Sequence, residues 1–153
     1  MTLAYEDFSK GRVFALGPKT VAAPEIIEFA SEFDAQPMHL SEEAGRASIL
    51  GGLAASGWHT CAMMMRMMAD SYILSSTCQG SPGIEFLEWK RPVLAGDTLE
   101  GKSTVMENRT LNSRPGLGLV TFRHELRNQR DEIVCHGDNV VMFAMREHRG
   151  TSE

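Results

Sequence analysis

The segment Phe33-Asp34-Ala35-Gln36-Pro37-Met38-His39 places a carboxylate and an imidazole five residues apart around a proline. Converging on one water, such a pair can orient it and move one of its protons. A turn-capping aspartate beside a surface histidine gives the same pattern, so the spacing alone does not decide. Further on, Gly51-Gly52-Leu53-Ala54-Ala55-Ser56-Gly57-Trp58-His59-Thr60 is a glycine-bearing turn that opens into an apolar stretch. The first N–H groups of a helix are unpaired and its dipole favours negative charge, which makes Gly57 a candidate oxyanion position. Glycine also lets a ligand approach the backbone with no Cβ in the way. The plainer reading is a loop with Ser56 as the helix cap. A third segment, from Leu87 to Leu99, meets Arg91-Pro92-Val93, turns at Gly96-Asp97 and resumes. By itself it reads as structural.

These residues must be held by a fairly small chain. It has 153 residues, 42% apolar and 23% charged, the balance of one globular domain spanning 1–153. No apolar run is long enough to span a membrane. The segment from Met1 to Lys10 lacks the basic and apolar regions of a secretory leader. Cys61, Cys78 and Cys135 are an odd, widely spaced set. A disulfide framework is therefore not expected, and a reducing cytoplasm is the natural compartment. The net charge of −5 argues against a nucleic-acid binder. The charge is uneven: between Arg109 and Arg130, five arginines (Arg109, Arg114, Arg123, Arg127, Arg130) face Glu125 alone. That stretch is either a solvated strand face or a seat for an anionic ligand.

The element pattern is α+β, with helices early and strands late. Gly11 to Val21 reads as a strand. Pro24 suits the first turn of a helix carrying Ile26, Ile27, Phe29, Ala30 and Phe33. Pro37 should stop that helix near Asp34. Ser41 is positioned to cap a short helix reaching about Ala47. A longer helix runs from Ser56 or Gly57 to about Leu74, roughly 28 Å at ~1.5 Å per residue. It is apolar nearly all round and so belongs in the interior. Its methionines suit either core or the lining of an apolar tunnel. Its polar positions, His59, Arg66 and Asp70, share a stripe expected to face solvent, a cleft or a subunit boundary, with Arg66 and Asp70 in pairing distance. Strands are expected over 84–90, 99–111, 117–128 and 132–146, with Pro82-Gly83 as a turn before the first. The expected architecture is a buried central helix with an antiparallel sheet curled around it.

In this order, the three segments resemble the MaoC-like dehydratase family, which includes the (R)-specific enoyl-CoA hydratases. The family's Asp-x-Asn-Pro-x-His loop is matched by Asp34, Gln36, Pro37 and His39, with Gln in place of Asn. Its Ala-His-Gly approach to the central helix is matched by Ala55-Ser56-Gly57, with Ser in place of His. Its Arg-Pro-Val and Gly-Asp-Thr are matched by residues 91–93 and 96–98. The resemblance covers about Glu6 to Arg146 and implies a hotdog fold. It also implies hydration of a 2-enoyl-CoA to a (R)-3-hydroxyacyl-CoA, with Asp34 and His39 holding the water and the Gly57 N–H stabilising the enolate. Asp34 is the expected proton acceptor, with the reverse assignment open.

Some relatives contribute a Ser from within the helix. Here the span from Cys61 to Met68 has none, and His59 and Thr60 are the nearest polar substitutes. Coenzyme A enters as part of the substrate, with no separate cofactor. Its phosphates are assigned to Arg109, Arg114 and Arg123, from the same or a partner subunit of a homodimer or higher oligomer. A hotdog thioesterase and a non-catalytic acyl-CoA-binding module remain the alternatives. No metal site is expected from His59, Cys61, Cys135 and His136, because their spacings put neighbours on opposite faces. Gly116-Leu117-Gly118 reads as a turn rather than a dinucleotide loop. His124 and His148 carry no legible signal.

Overall fold

The computed structural model describes residues 1–146; His148 and the end of the expected domain lie outside the described residues. Strand β1 (Val13–Thr20) leads into helix α1 (Ala23–Phe33), with Pro24 in its first turn. The helix ends at Asp34, whose backbone leaves helical geometry as the approach to Pro37 requires. A 3-10 turn, Pro37–His39, follows, and then short helix α2 (Glu42–Ala47). Ser41 caps α2, accepting from the Ala44 N–H at 3.1 Å. Helix α3 (Gly57–Met68) is the central helix. Its run continues to Ile73 through a widened π turn, Ala69–Ile73. That turn delivers Tyr72 to the core, where its ring stacks on Phe122 at 5.2 Å.

The remaining chain forms β2 (Cys78–Trp89), β3 (Thr98–Thr110), β4 (Leu117–Arg127) and β5 (Ile133–Ala144). The five strands make one antiparallel sheet in the order β1-β3-β4-β5-β2. Strand β2 begins at Cys78, six residues before the expected start, so Pro82-Gly83 is a bulge and not a turn. β2 is an edge strand, where the N–H that proline lacks has no neighbour to serve.

The sheet wraps α3. Met63, Met64, Met67 and Met68 are buried against Phe14, Val105, Val120 and Phe122, so most of the methionine stripe is core. The expected polar stripe is divided. Arg66 and Asp70 pair at 3.1 Å on the surface. His59 is only 3% exposed, stacked on Phe29 at 4.6 Å, with Nε2 facing Glu25 at 3.4 Å. His59 and Arg66 line a groove between α1 and α3. Among the described residues, no helix is long and apolar enough to cross a membrane.

Candidate active site

The Asp34–His39 loop and the start of α3 are brought together by segment 53–55. The Ala54 N–H donates to Met38 O at 3.2 Å, and His39 Nδ1–H donates to Ala54 O at 2.7 Å. On the other side, Ala55 N–H donates to Val93 O and Ala95 N–H to Leu53 O, at 2.8 and 3.0 Å. Two loops far apart in sequence thus clamp the strand-like lead-in to α3. His39 is buried by these contacts, and Asp34 stays partly accessible at the end of α1.

A carbonyl oxygen only accepts, so the bond to Ala54 places the hydrogen of neutral His39 on Nδ1. Its Nε2 then carries a lone pair, 3.5 Å from Asp34 Oδ2. Asp34 accepts from Gln36 Nε2 on Oδ1 and from the Ser56 hydroxyl on Oδ2, each at 2.7 Å. These two donors, Ser56 first, hold the Asp34 carboxyl below its usual range despite some burial. In the neutral form of His39, the facing pair is a carboxylate acceptor and an imidazole acceptor. What fits between two acceptors is a double donor such as water.

Ser56 occupies the cap position of α3, yet its side chain makes no cap hydrogen bond; its hydroxyl goes to Asp34 instead. The helix start beside it is thus left without a side-chain cap. Gly57 is required here by a neighbour: a Cβ at this position would lie 2.6 Å from the Trp89 indole. Trp89 Nε1–H donates to Gly57 O at 3.0 Å, and its ring meets Trp58 edge-on at 5.4 Å. A groove of about 240 Å³ opens beside these groups, lined by His39, Ala55, Gly57, Thr60, Trp89, Lys90 and Arg91 among others.

Asp34, His39 and Gly57 are thus neighbours, as the sequence reading expected of a site. The three arginines assigned to phosphate are elsewhere in the same chain. Arg109 lies near the far end of β3 and Arg114 in the hairpin beyond it. β3 begins next to the 93–97 turn at the site, and its thirteen residues extend roughly 40 Å away at ~3.3 Å each. Arg123 is held by Asp138 through two bonds of 3.0 and 3.1 Å. The cations at the groove are Lys90 and Arg91, from the segment read as purely structural. Trp89 was missed for the same reason. Gln36 was seen only as a replacement, although a side-chain amide two residues after an aspartate is within its reach. Of the two proposed polar substitutes, Thr60 lines the groove, whereas His59 turns away under α1.

A second cavity, about 360 Å³ and mainly apolar, lies between α3 and strands β2 and β5. Trp58, Cys61, Met64, Met65, Met68 and Leu87 contribute to it. Trp58 also touches Trp89, so the two tryptophans form the partition between groove and cavity.

A long helix wrapped by an antiparallel sheet is a hotdog fold. Within it, the chain belongs to the MaoC-like domain family, whose model matches residues 9–128. It superposes on the MaoC-like dehydratase from Rhodospirillum rubrum with a TM-score of 0.83 and 41% identity, over 93% of this chain and 97% of that one. The R-hydratase PhaJ1 of Pseudomonas aeruginosa shares the fold at 20% identity and a TM-score of 0.77, over 95% of this chain and 88% of that one. YdeM of Bacillus subtilis (strain 168) is 26% identical over 138 residues, 90% of this chain and 96% of that protein.

Proposed function

We propose that the protein adds water across a trans-2-enoyl-CoA thioester to give the (R)-3-hydroxyacyl-CoA, and catalyses the reverse dehydration. The observation that carries this is the pair of acceptors, Asp34 Oδ2 and His39 Nε2, 3.5 Å apart beside the uncapped start of α3. A water held there gives one hydrogen to each acceptor, and its oxygen lone pair is aimed at C3 of the enoyl group. As the C3–O bond forms, His39 Nε2 takes a proton from the water. The electron pair of the double bond moves toward the thioester carbonyl, whose oxygen becomes an enolate held by the Gly57 N–H. The enolate then collapses and C2 takes the proton back, restoring neutral His39. Asp34, kept anionic by its two donors, stabilises the imidazolium in between. This makes His39 the acceptor and Asp34 the orienting anion, the second of the two assignments the sequence left open. Membership of the MaoC-like family supports the reaction class.

The acyl chain extends past the two tryptophans into the methionine-lined cavity, and Lys90 and Arg91 meet the coenzyme A phosphates at the groove mouth. Two copies pair through β2, whose outer edge has no strand partner among the described residues and which carries the exposed Ile84, Phe86 and Trp89. An open apolar strand edge favours pairing with another strand. Such an enzyme serves fatty-acid metabolism in the cytoplasm.

The deciding assay mixes protein with crotonyl-CoA and longer 2-enoyl-CoAs and follows loss of the conjugated thioester absorbance, with a thiol reagent in parallel. Hydration is expected, and Asp34→Asn and His39→Ala should each lower it by roughly 10²–10⁴-fold with an unchanged circular dichroism spectrum. Thiol release without hydration would instead place the protein among the thioesterases. Acyl-CoA binding with no turnover would make it a binding module.

A further inference from the structure

The structure singles out one buried side chain whose hydrogen bond is unusual for its position. Serine before the first helical residue ordinarily turns its oxygen back to accept an N–H of the first turn. Ser56 is fully buried and stands at that position, but its Oγ–H donates 2.7 Å away to Asp34 Oδ2. A hydroxyl has one hydrogen, so this direction is forced: a carboxylate can only accept. The other Asp34 oxygen is held by Gln36. The carboxylate is therefore fixed at both ends, with His39 Nε2 as its ionisable neighbour.

We propose that Ser56 is a positioning residue of the site: its hydroxyl, withdrawn from capping α3, clamps Asp34 as an ionised acceptor beside His39 and leaves the helix start open to the thioester oxygen. The proposal deepens the hydratase reading and rests on it for its kinetic part. One side chain thereby serves both halves of the reaction. Donation to Oδ2 stabilises the anion that the imidazolium needs, and the same donation keeps the hydroxyl oxygen away from the N–H groups that receive the enolate. A serine that only completed the fold would stabilise α3 and leave Asp34 indifferent to its removal.

The test compares wild type with Ser56→Ala and Ser56→Thr by two readouts. The first is the titration of the Asp34 carboxyl, followed by carbon NMR on protein labelled at aspartate and assigned with Asp34→Asn. Ser56→Ala should move this titration up in pH, and Ser56→Thr, which keeps the hydroxyl, should leave it near wild type. The second is the pH profile of enoyl-CoA hydration. In Ser56→Ala its acid limb should move up in the same direction, because the freed carboxylate attracts a proton more strongly to the pair it forms with His39. The rate at pH 7 should fall roughly ten- to a hundredfold, the equivalent of one charge-assisted hydrogen bond. An unchanged Asp34 titration in folded Ser56→Ala, or a lower melting temperature with an unmoved acid limb, would overturn the proposal. The NMR readout does not depend on turnover. A shifted titration in a protein that hydrates nothing would uphold the clamp and remove the hydratase reading alone.

Discussion

The Trp89 indole packs against the backbone of Gly57 and donates its N–H to the Gly57 carbonyl, 3.0 Å away. The last residue of an edge strand thus fixes the position of the first residue of the central helix, and the two are incompatible with any side chain at position 57. Gly57→Ala should displace the indole. We expect a changed tryptophan emission spectrum and a hydration rate lowered by about 10²-fold or more, comparable with loss of an oxyanion donor. Gly57→Ala with the emission and rate of wild type would separate Trp89 from the site.

Lys90 and Arg91 lie at the groove, each in an ion pair at 2.9 Å, with Glu88 and Glu132 respectively. Both pairs are largely solvent-exposed, so they cost little to exchange for a phosphate. Lys90→Ala combined with Arg91→Ala should raise KM for enoyl-CoA about tenfold and leave KM for the enoyl-pantetheine analogue nearly unchanged. If Arg109→Ala with Arg114→Ala produces that pattern instead, the phosphates are held by the β3–β4 hairpin of a partner.

Met68 is buried on α3 and lines the apolar cavity beyond the tryptophans. Met68→Trp should fill part of that space. Relative kcat/KM should then fall steeply for eight-carbon and longer enoyl-CoAs while crotonyl-CoA is spared, because a chain that no longer fits loses about 0.8 kcal/mol per unburied methylene. Equal losses for all chain lengths would place the acyl tail outside this cavity.

Ile84 is 59% exposed on the edge strand β2. If copies pair along this edge, Ile84→Asp sets two negative charges close together across the interface. Light scattering coupled to gel filtration should report a dimer for wild type and a smaller species for Ile84→Asp. A dimer that persists unchanged in the variant would move the interface elsewhere.

His124 sits in a buried chain of hydrogen bonds. Tyr72 OH donates to Ser103 Oγ at 3.1 Å, Ser103 to His124 Nδ1 at 2.7 Å, and His124 Nε2–H to Asn139 Oδ1 at 2.6 Å. Burial holds the imidazole below its usual range, so the folded protein keeps it neutral at pH values where an unfolded histidine is charged. The unfolded state then binds more protons, and stability drops as pH falls below about 6.5. The melting temperature should decline between pH 7.5 and 5.5, and by less in His124→Gln. Equal declines in both proteins would assign the acid sensitivity to another group.

Much of this arrangement was legible in the chain because it depends on near neighbours. Pro24 and Pro37 bracket α1, Ser41 starts α2, and Gly51-Gly52 precedes the run that becomes α3. The Asp34 to His39 loop could be read because both groups lie in one short segment. The β2 bulge at Pro82-Gly83 could not, since a proline marks a turn or a tolerated edge depending on which strands lie beside it, and that is settled by the whole sheet. The distance of Arg109 and Arg114 from the groove of their own chain was not legible for a related reason: local charge density does not say which end of a strand faces a given loop.

The sequence by itself determined which elements form and which two loops carry the polar groups, because helix stops, caps and apolar periodicity act over a few residues. Only the tertiary structure decided what those groups meet. The tautomer of neutral His39 is set by a carbonyl 15 residues on, the orientation of the Asp34 carboxylate by a hydroxyl 22 residues on, and the place of Gly57 by an indole 32 residues on. A proton's position is fixed by the partner it meets in space, and those partners are brought into contact only when the sheet has closed around α3.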